Sequence, residues 1–315
     1  MNFRTAVPIK ESVSKIGYES ALLSLGSCFA VNIAEKLSYF GFQNVVNPSG
    51  ILFQPCAISK FLSDALSAKE FTAEDIFYDR ERWHCFDAHS DLSSPDQNGL
   101  LQKLNAAAAQ TKIKVTEASH IIITLGTAWV YRNNSSGNLV ANCHKVPQKE
   151  FTKELLSVEM ITDSLRNIIA MITRANPSVQ IIFTVSPVRH IKDGFTENQR
   201  SKSHLISALH SVIEHFSAAH YFPSYEIMMD ELRDYRFYAE DMIHPNRVAI
   251  DYIWERFTDS WISPEAIPIM AEVGGIRKAE SHWPFDPATS QHIGFKTRIA
   301  EKKQLLLARH PSINF

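Results

Sequence analysis

Residues 20–30 read Ser-Ala-Leu-Leu-Ser-Leu-Gly-Ser-Cys-Phe-Ala. Ser20–Gly26 is an apolar run that stops on glycine, the pattern of a buried strand. The period then changes. Phe29, Ile33, Leu37 and Phe40 fall at spacings of four, four and three, one face of a helix over Phe29–Phe40. Gly41 ends that helix where a left-handed cap is cheap for glycine.

Outward from this unit, strands and helices keep alternating. A short strand is expected over Asn44–Asn47, then the turn Asn47-Pro48-Ser49-Gly50 and a helix from Pro55 to about Leu66. Leu100–Thr111 reads as a helix, and Ser119–Gly126 (SHIIITLG) as a strand whose β-branched residues run into a glycine. Ala128–Arg132 and Leu139–Val146 flank Asn-Asn-Ser-Ser-Gly-Asn, which predicts a hairpin. Phe151–Arg174 reads as one long amphipathic helix, Val179–Val185 as a strand halted by Pro187, and Asn198–His220 as a helix. Tyr221–Glu226 reads as the last strand and Val248–Asp259 as a helix. Residues 70–98 show no clean periodicity. The alternation predicts an α/β three-layer sandwich with a central, mostly parallel sheet. Residues 1–262 are expected to form this domain and 263–315 a helical extension packed on it. The last helix, about Phe295–Arg309, offers Ile299, Leu306 and Leu307 as a partial apolar face and reads otherwise as a solvated, basic surface.

Composition narrows the function. The 315 residues include only 11 glycines, against an average of about 7%, and no GxGxxG or GxxxxGK can be drawn through them. Neither the dinucleotide fingerprint nor the phosphate-cradling P-loop is therefore present. A net charge of −2 argues against a nucleic-acid partner. No stretch reaches the roughly 18 apolar residues of a membrane span. The 4 cysteines are widely spread, without CxxC or zinc-like spacing; a reduced compartment is the simpler reading, with two disulfides as the alternative. Leu25-Gly26-Ser27-Cys28 looks like a lipoprotein cleavage box. However, Glu11 and Glu19 stand where a signal peptide is basic, and Ala21–Leu25 is too short for an h-region. A cytoplasmic location is expected, with a lipoprotein or secreted protein as the alternative.

In open α/β sheets, ligands bind beyond the carboxyl ends of the strands. The polar residues standing there are Ser27 and Cys28; Asn47, Ser49 and Gly50; Thr127, with Asn142, Cys143 and His144 in the hairpin arm; Ser186, Arg189 and His190; and finally Asp241 and His244. Ser27 sits where following amides stabilise an anion, although taken alone it is more simply the N-cap of its helix. The spacing Asp241-x-x-His244 lets a carboxylate accept from one imidazole nitrogen and leave the other outward as a base. Taken alone, that too is more simply a local turn.

Together and in this order the residues resemble the SGNH/GDSL-type hydrolase superfamily. The closer resemblance is to the GSCFA family within it, named for the five residues that stand here as Gly26-Ser27-Cys28-Phe29-Ala30. Further similarity lies in NPSGILFQP (47–55), TLGTAWVY (124–131), NCHKVP (142–147), SPVRHIKDGF (186–195) and DMIHPN (241–246). The resemblance implies an SGNH-hydrolase or flavodoxin-like sheet, Ser27 as nucleophile, His244 as general base and Asp241 as the residue that orients it. It also implies the Ser27 and Gly50 amides as oxyanion donors. The superfamily's asparagine after the third strand is missing here: Leu125-Gly126-Thr127 stands in its place. Thr127, Asn142 or His144 is then the expected substitute. Such a site needs no metal or organic cofactor. The implied activity is cleavage of an acyl ester through an acyl-enzyme, on a small-molecule or carbohydrate substrate. An O-acyltransferase, or a non-catalytic ligand-binding module with the same fold, is the alternative.

Other constellations carry two readings each. Arg189, His190, Asn198 and Lys202 either bind a charged group of the substrate or merely cap their loop, and His144 is a further candidate for substrate contact. A cysteine nucleophile at Cys28 or Cys143 is conceivable, but a small buried cysteine is the commoner fate. His84, Asp87 and His89 have metal-ligand chemistry without an element to align them. Trp83, Phe86, Trp129 and Tyr131 suit either a sugar-sized cleft or the core.

Overall fold

The computed structural model describes residues 5–282 and 289–315. β1 (Ala21–Gly26) passes through Ser27 into α1 (Cys28–Tyr39), and β2 (Gln43–Val46) leads to α2 (Pro55–Leu66). A hairpin of β3 (Phe77–Asp79) and β4 (Arg82–His84) precedes α3 (Gln97–Glu117) and β5 (His120–Leu125). Next come β6 (Trp129–Asn133), β7 (Leu139–Val140) and β8 (Phe151–Leu155), which form a small antiparallel sheet. α4 (Val158–Ala175), β9 (Gln180–Val185), α5 (Phe195–Ile213), β10 (Ala219–Tyr221) and one turn, α6 (Ser224–Glu226), follow. The chain closes with α7 (Arg247–Trp261), α8 (Ala266–Glu280) and α9 (Ser290–Arg309).

The main sheet has five strands in the order β10-β9-β5-β1-β2, parallel throughout. Leu23 pairs with Val45 on one side and Ile121 on the other. Alternate residues serve two cores. Leu23, Leu25, Ile121, Ile123, Ile181 and Phe183 pack under α2, α4 and α5, while Leu22, Ile122 and Ile182 pack under α1, α7 and α8. A sheet covered on both faces needs apolar residues at every position, which is why β1, β5 and β9 read as unbroken hydrophobic runs. The architecture is the expected α/β three-layer sandwich. Leu306 of α9 and Ile313 lie in the same core as α1 and α8. Because the strand order reverses between β1 and β5, a crevice opens beyond their carboxyl ends.

Three expectations need correction, and residues 70–98, which showed no clean periodicity, take a definite form. The first correction is that the helix expected over Asn198–His220 ends at Ile213, with His220 in strand β10. Phe151–Arg174 is not one helix: Phe151–Leu155 is strand β8, paired with β6, and α4 begins only after Ser157, whose side chain accepts from the Met160 amide. The last strand ends at Tyr221 rather than beginning there, since Pro223 has no N–H to donate and the chain turns helical at Ser224. Residues 70–98 contain the β3–β4 hairpin, turned by Arg80 and Glu81 at φ +48° and +61°. Non-glycine residues rarely occupy that region, so no turn signal stood in the sequence.

Candidate active site

The site is built at the β1–β5 crevice. Gly26 ends β1 at φ +127°, and a Cβ there would lie 2.1 Å from the Thr124 carbonyl oxygen, so only glycine fits between the two strands. Ser27 then occupies the N-cap position of α1 but does not cap it. Its side chain makes no capping bond, its exposure is 0%, and Oγ has no hydrogen-bond partner among the described residues. Its amide donates to Thr124 O at 3.0 Å. Asn47, beyond β2, accepts from the Gly26 amide through Oδ1 at 2.8 Å, and its Nδ2 is buried without a partner.

Asp241 and His244 form a fixed pair on the loop before α7. Oδ1 of Asp241 accepts from the amides of Ile243 and His244 at 2.9 and 3.0 Å, while Oδ2 meets His244 Nδ1 at 2.7 Å. These hydrogen bonds, the His244 amide first, hold the Asp241 carboxyl down at about 2. Met242 between them has φ +57°, the left-handed turn that brings the imidazole back over its carboxylate. The same loop is tied to the β9 end through the Arg189 amide, which donates to Ile243 O at 3.2 Å. The His244 ring is half-exposed and the Ser27 hydroxyl sealed, so the two are not hydrogen-bonded.

The residues expected to hold an oxyanion are differently engaged. The Gly50 amide donates to Asn47 O at 2.8 Å, as the Ser27 amide does to Thr124 O. Thr127 Oγ1 lies 3.0 Å from Ser201 Oγ and accepts from the Trp129 amide at 3.0 Å, and the Thr127 amide donates to Phe53 O. Asn142 Oδ1 accepts from the His144 amide at 2.8 Å. His144 is buried against His84 and Phe77, with Nε2 2.7 Å from Cys85 O, and burial pulls it down to about 4.

Beyond β9 the polar cluster divides. The Arg189 guanidinium stacks on Tyr238 at 4.0 Å and Tyr235 at 5.1 Å. His190 lies edge-on to Phe53 with Nε2 buried and unpartnered; burial, then the nearby Lys202, push it down to about 4. Lys202 is fully buried and donates to Gly126 O and Ser186 O, both at 2.7 Å.

Comparison with known proteins adds one decisive finding. The GSCFA family profile matches residues 21–257, which hold every site residue named above. The chain belongs to the GSCFA family. Two solved structures are also similar to it. One is a Streptococcus pneumonia protein provisionally described as a platelet activating factor: 11% identical, TM-score 0.39, covering 78% of this chain and 85% of that one. The other is an acetyl xylan esterase, Est2A, from the rumen bacterium Butyrivibrio proteoclasticus: 11% identical, TM-score 0.40, covering 81% of this chain and 64% of that one. No curated protein matches the sequence significantly.

In this GSCFA protein a cleft of about 440 Å³ opens beside the crevice, lined among others by Phe53, Trp129, Tyr131, Asn142, Phe151 and His190. Its inner wall meets the crevice at Phe53, whose carbonyl accepts from the Gly126 amide at 2.8 Å, and a Cβ on Gly126 would lie 3.2 Å from Ser27 Cβ. Lys153 lies over the Trp129 and Tyr131 rings and is ion-paired with Asp193. Trp83 and Phe86 are elsewhere: Trp83 packs on the small core around Phe71 and Leu104, and Phe86 stacks on Phe77. His84, Asp87 and His89 take separate partners, Ser93, Lys60 and Asp91. No group of three or more His, Cys, Asp or Glu among the described residues has the arrangement of a metal site. All 4 cysteines are free, and burial pushes the Cys143 thiol up to about 11 and Cys85 to about 12. Cys28 and Cys56 are raised too, chiefly by burial, the opposite of the lowered thiol that favours a cysteine nucleophile. No helix among the described residues is long and apolar enough to cross a membrane.

Proposed function

We propose that this protein is a serine hydrolase of acyl esters. The observation that carries the reading is the Ser27 hydroxyl, buried at the head of α1 with no partner. Leaving a buried hydroxyl unbonded costs about 1–3 kcal/mol, and such groups persist where chemistry uses them. His244 Nε2 takes the Ser27 proton as Oγ bonds to the ester carbonyl carbon, whose π electrons move onto oxygen. Collapse expels the alkoxide, which takes that proton from His244, and leaves an acyl-Ser27 ester. Water, deprotonated by the same imidazole, then releases the acid and restores Ser27. The Ser27–His244 hydrogen bond forms in the substrate complex, where such contacts commonly tighten. With the Ser27 and Gly50 amides already bonded to carbonyls, we assign the oxyanion to the Cys28 and Phe29 amides at the head of α1, which face the weakly accepting Cys28 sulfur rather than a carbonyl.

The alcohol portion of the substrate is assigned to the cleft, whose aromatic faces and short polar groups suit a carbohydrate. Trp129 is fixed by its Nε1 bond to Glu197 O at 3.1 Å. Trp129→Ala is expected to raise KM for an acetylated sugar about 10-fold with little change in kcat, the mark of lost ground-state binding. Equal KM values would remove the cleft from the substrate path.

Asp241→Asn keeps an oxygen for the two loop amides but puts an NH₂ donor toward Nδ1. The tautomer is then wrong for a base, and kcat is expected to fall about 10³–10⁴-fold. In the wild type, hydrogen bonds from the His244 and Ile243 amides and the imidazole hold the Asp241 carboxyl down at about 2, so it is ionised beside His244 at neutral pH. Only a neutral imidazole can take the Ser27 proton, and the carboxylate beside Nδ1 holds it in the tautomer that leaves Nε2 free to accept.

The deciding assay is turnover of p-nitrophenyl acetate, with fluorophosphonate labelling, for wild type, Ser27→Ala and His244→Ala. Folded wild-type protein that neither labels nor turns over would favour the ligand-binding reading, which draws on the same sealed serine. Acylated product on an added sugar acceptor would mark a transferase.

A further inference from the structure

Lys202 has no exposed surface, and its ammonium joins the carboxyl ends of β5 and β9 through Gly126 O and Ser186 O. An ammonium carries three protons; the third has no acceptor among the described residues, and no carboxylate there pairs with Lys202. The ionisable groups that face it are Cys28 on α1, His190 after β9, and Tyr225 on α6, whose ring centre is 5.8 Å away. None of these is an anion at neutral pH, so only carbonyl oxygens and a ring face, and no carboxylate among the described residues, offset the charge of the buried ammonium. Burying such a charge is costly, and a buried, perturbed ionisable group beside a cleft marks a candidate functional site. Gly126 stands between this ammonium and Ser27: its carbonyl accepts from Lys202, and its Cα face lies against Ser27 Cβ.

We propose that Lys202 is a positioning residue whose protonated, positively charged form stabilises the negative charge developing on Ser27 and the substrate oxygen, in place of the missing asparagine. The inference rests on the serine-hydrolase reading. Lys202 touches no substrate; it acts across Gly126, as a preorganised dipole or ion in a dry site does. Burial draws the ammonium down to about 7, with Cys28 opposing the shift. The wild-type rate is therefore expected to fall as pH rises above about 7, where Lys202 loses its charge.

A charge-coupling cycle tests this without requiring turnover. Ser27→Asp places a carboxylate where charge is proposed to develop, and Ser27→Asn is its neutral isostere. With Lys202 present, S27D should melt at a higher temperature than S27N. With Lys202→Met the order should reverse, because the carboxylate is then buried alone. The same S27D-to-S27N difference in both backgrounds overturns the proposal. If K202M does not fold, the Lys202 ammonium is titrated directly by the ¹³Cε shift of lysine-labelled protein. A midpoint higher in S27D than in S27N supports the coupling, and equal midpoints overturn it. In the rate assay, K202M should lower kcat about 10²–10³-fold and abolish the alkaline fall. Loss of kcat with the alkaline fall retained overturns the proposal. The melting cycle decides the role of Lys202 whichever way the esterase assay falls, so failure of one reading is not mistaken for failure of the other.

Discussion

Ser27→Ala is expected to lower kcat/KM on p-nitrophenyl acetate by about 10⁴-fold or more and, at the same time, to raise the melting temperature. The two effects have one cause. The hydroxyl is fully buried and bonded to nothing, so deleting it removes a desolvation penalty of about 1–3 kcal/mol. The methyl that remains keeps the contact with Gly126. An ordinary N-cap would behave oppositely, since replacing a bonded capping serine by alanine costs about 0.5–2 kcal/mol. Calorimetry and the ester assay on one preparation check both signs. A stability loss would mean that the hydroxyl is a structural partner, and the nucleophile assignment would then lose its carrying observation.

One residue earlier the expectation reverses. Gly26→Ala forces a methyl to within 2.1 Å of Thr124 O and 2.8 Å of the Thr124 carbonyl carbon, at a φ of +127° that L-residues rarely adopt. Neither neighbour can give way, because both belong to the backbone of β5, where Gly26 pairs with Thr124. The strands must part at the crevice, and the Gly26–Asn47 bond goes with them. The expected cost is about 4 kcal/mol or more, read as a lower denaturant midpoint at unchanged slope. A change below about 1 kcal/mol would show that the β1 end tolerates a side chain.

How much of this was legible before the coordinates follows from what each residue packs against. β1, β5 and β9 announced themselves because both faces of a parallel sheet are buried. β8 did not: Phe151-Thr-Lys-Glu-Leu is half-buried and runs through only two residues into a helix of the same amphipathic character. The β3–β4 turn was silent because Arg80 and Glu81 do the work of Asn-Gly. At the site, the strand-end serine and the Asp-x-x-His spacing were visible, as local patterns are. The state of the amides was not, since pairing of Ser27 N with Thr124 O joins segments nearly a hundred positions apart. Lys202 read either as a contact to a charged group of the substrate or as a cap of its loop, yet a signal for its burial existed. It shares the buried stripe of α5 with Asn198, Ser201, Leu205 and Leu209, at the helical period.

The far end of the chain bears on how the site is assembled. Ile313 Cγ2 lies 2.8 Å from where a Gly41 side chain would start, the Asn314 amide donates to Gly41 O, and Ile276 and Leu306 share the core with Leu37 of α1. The helix that begins beside Ser27 thus has part of its apolar face covered by residues made some 250 positions later. During synthesis β1 also waits for β5, about a hundred residues downstream. The nascent chain therefore carries its future nucleophile on an exposed hydrophobic hairpin of strand and helix for most of translation. It is then open to chaperone capture or aggregation, and the cover over the Leu37–Gly41 end of α1 is among the last features to form.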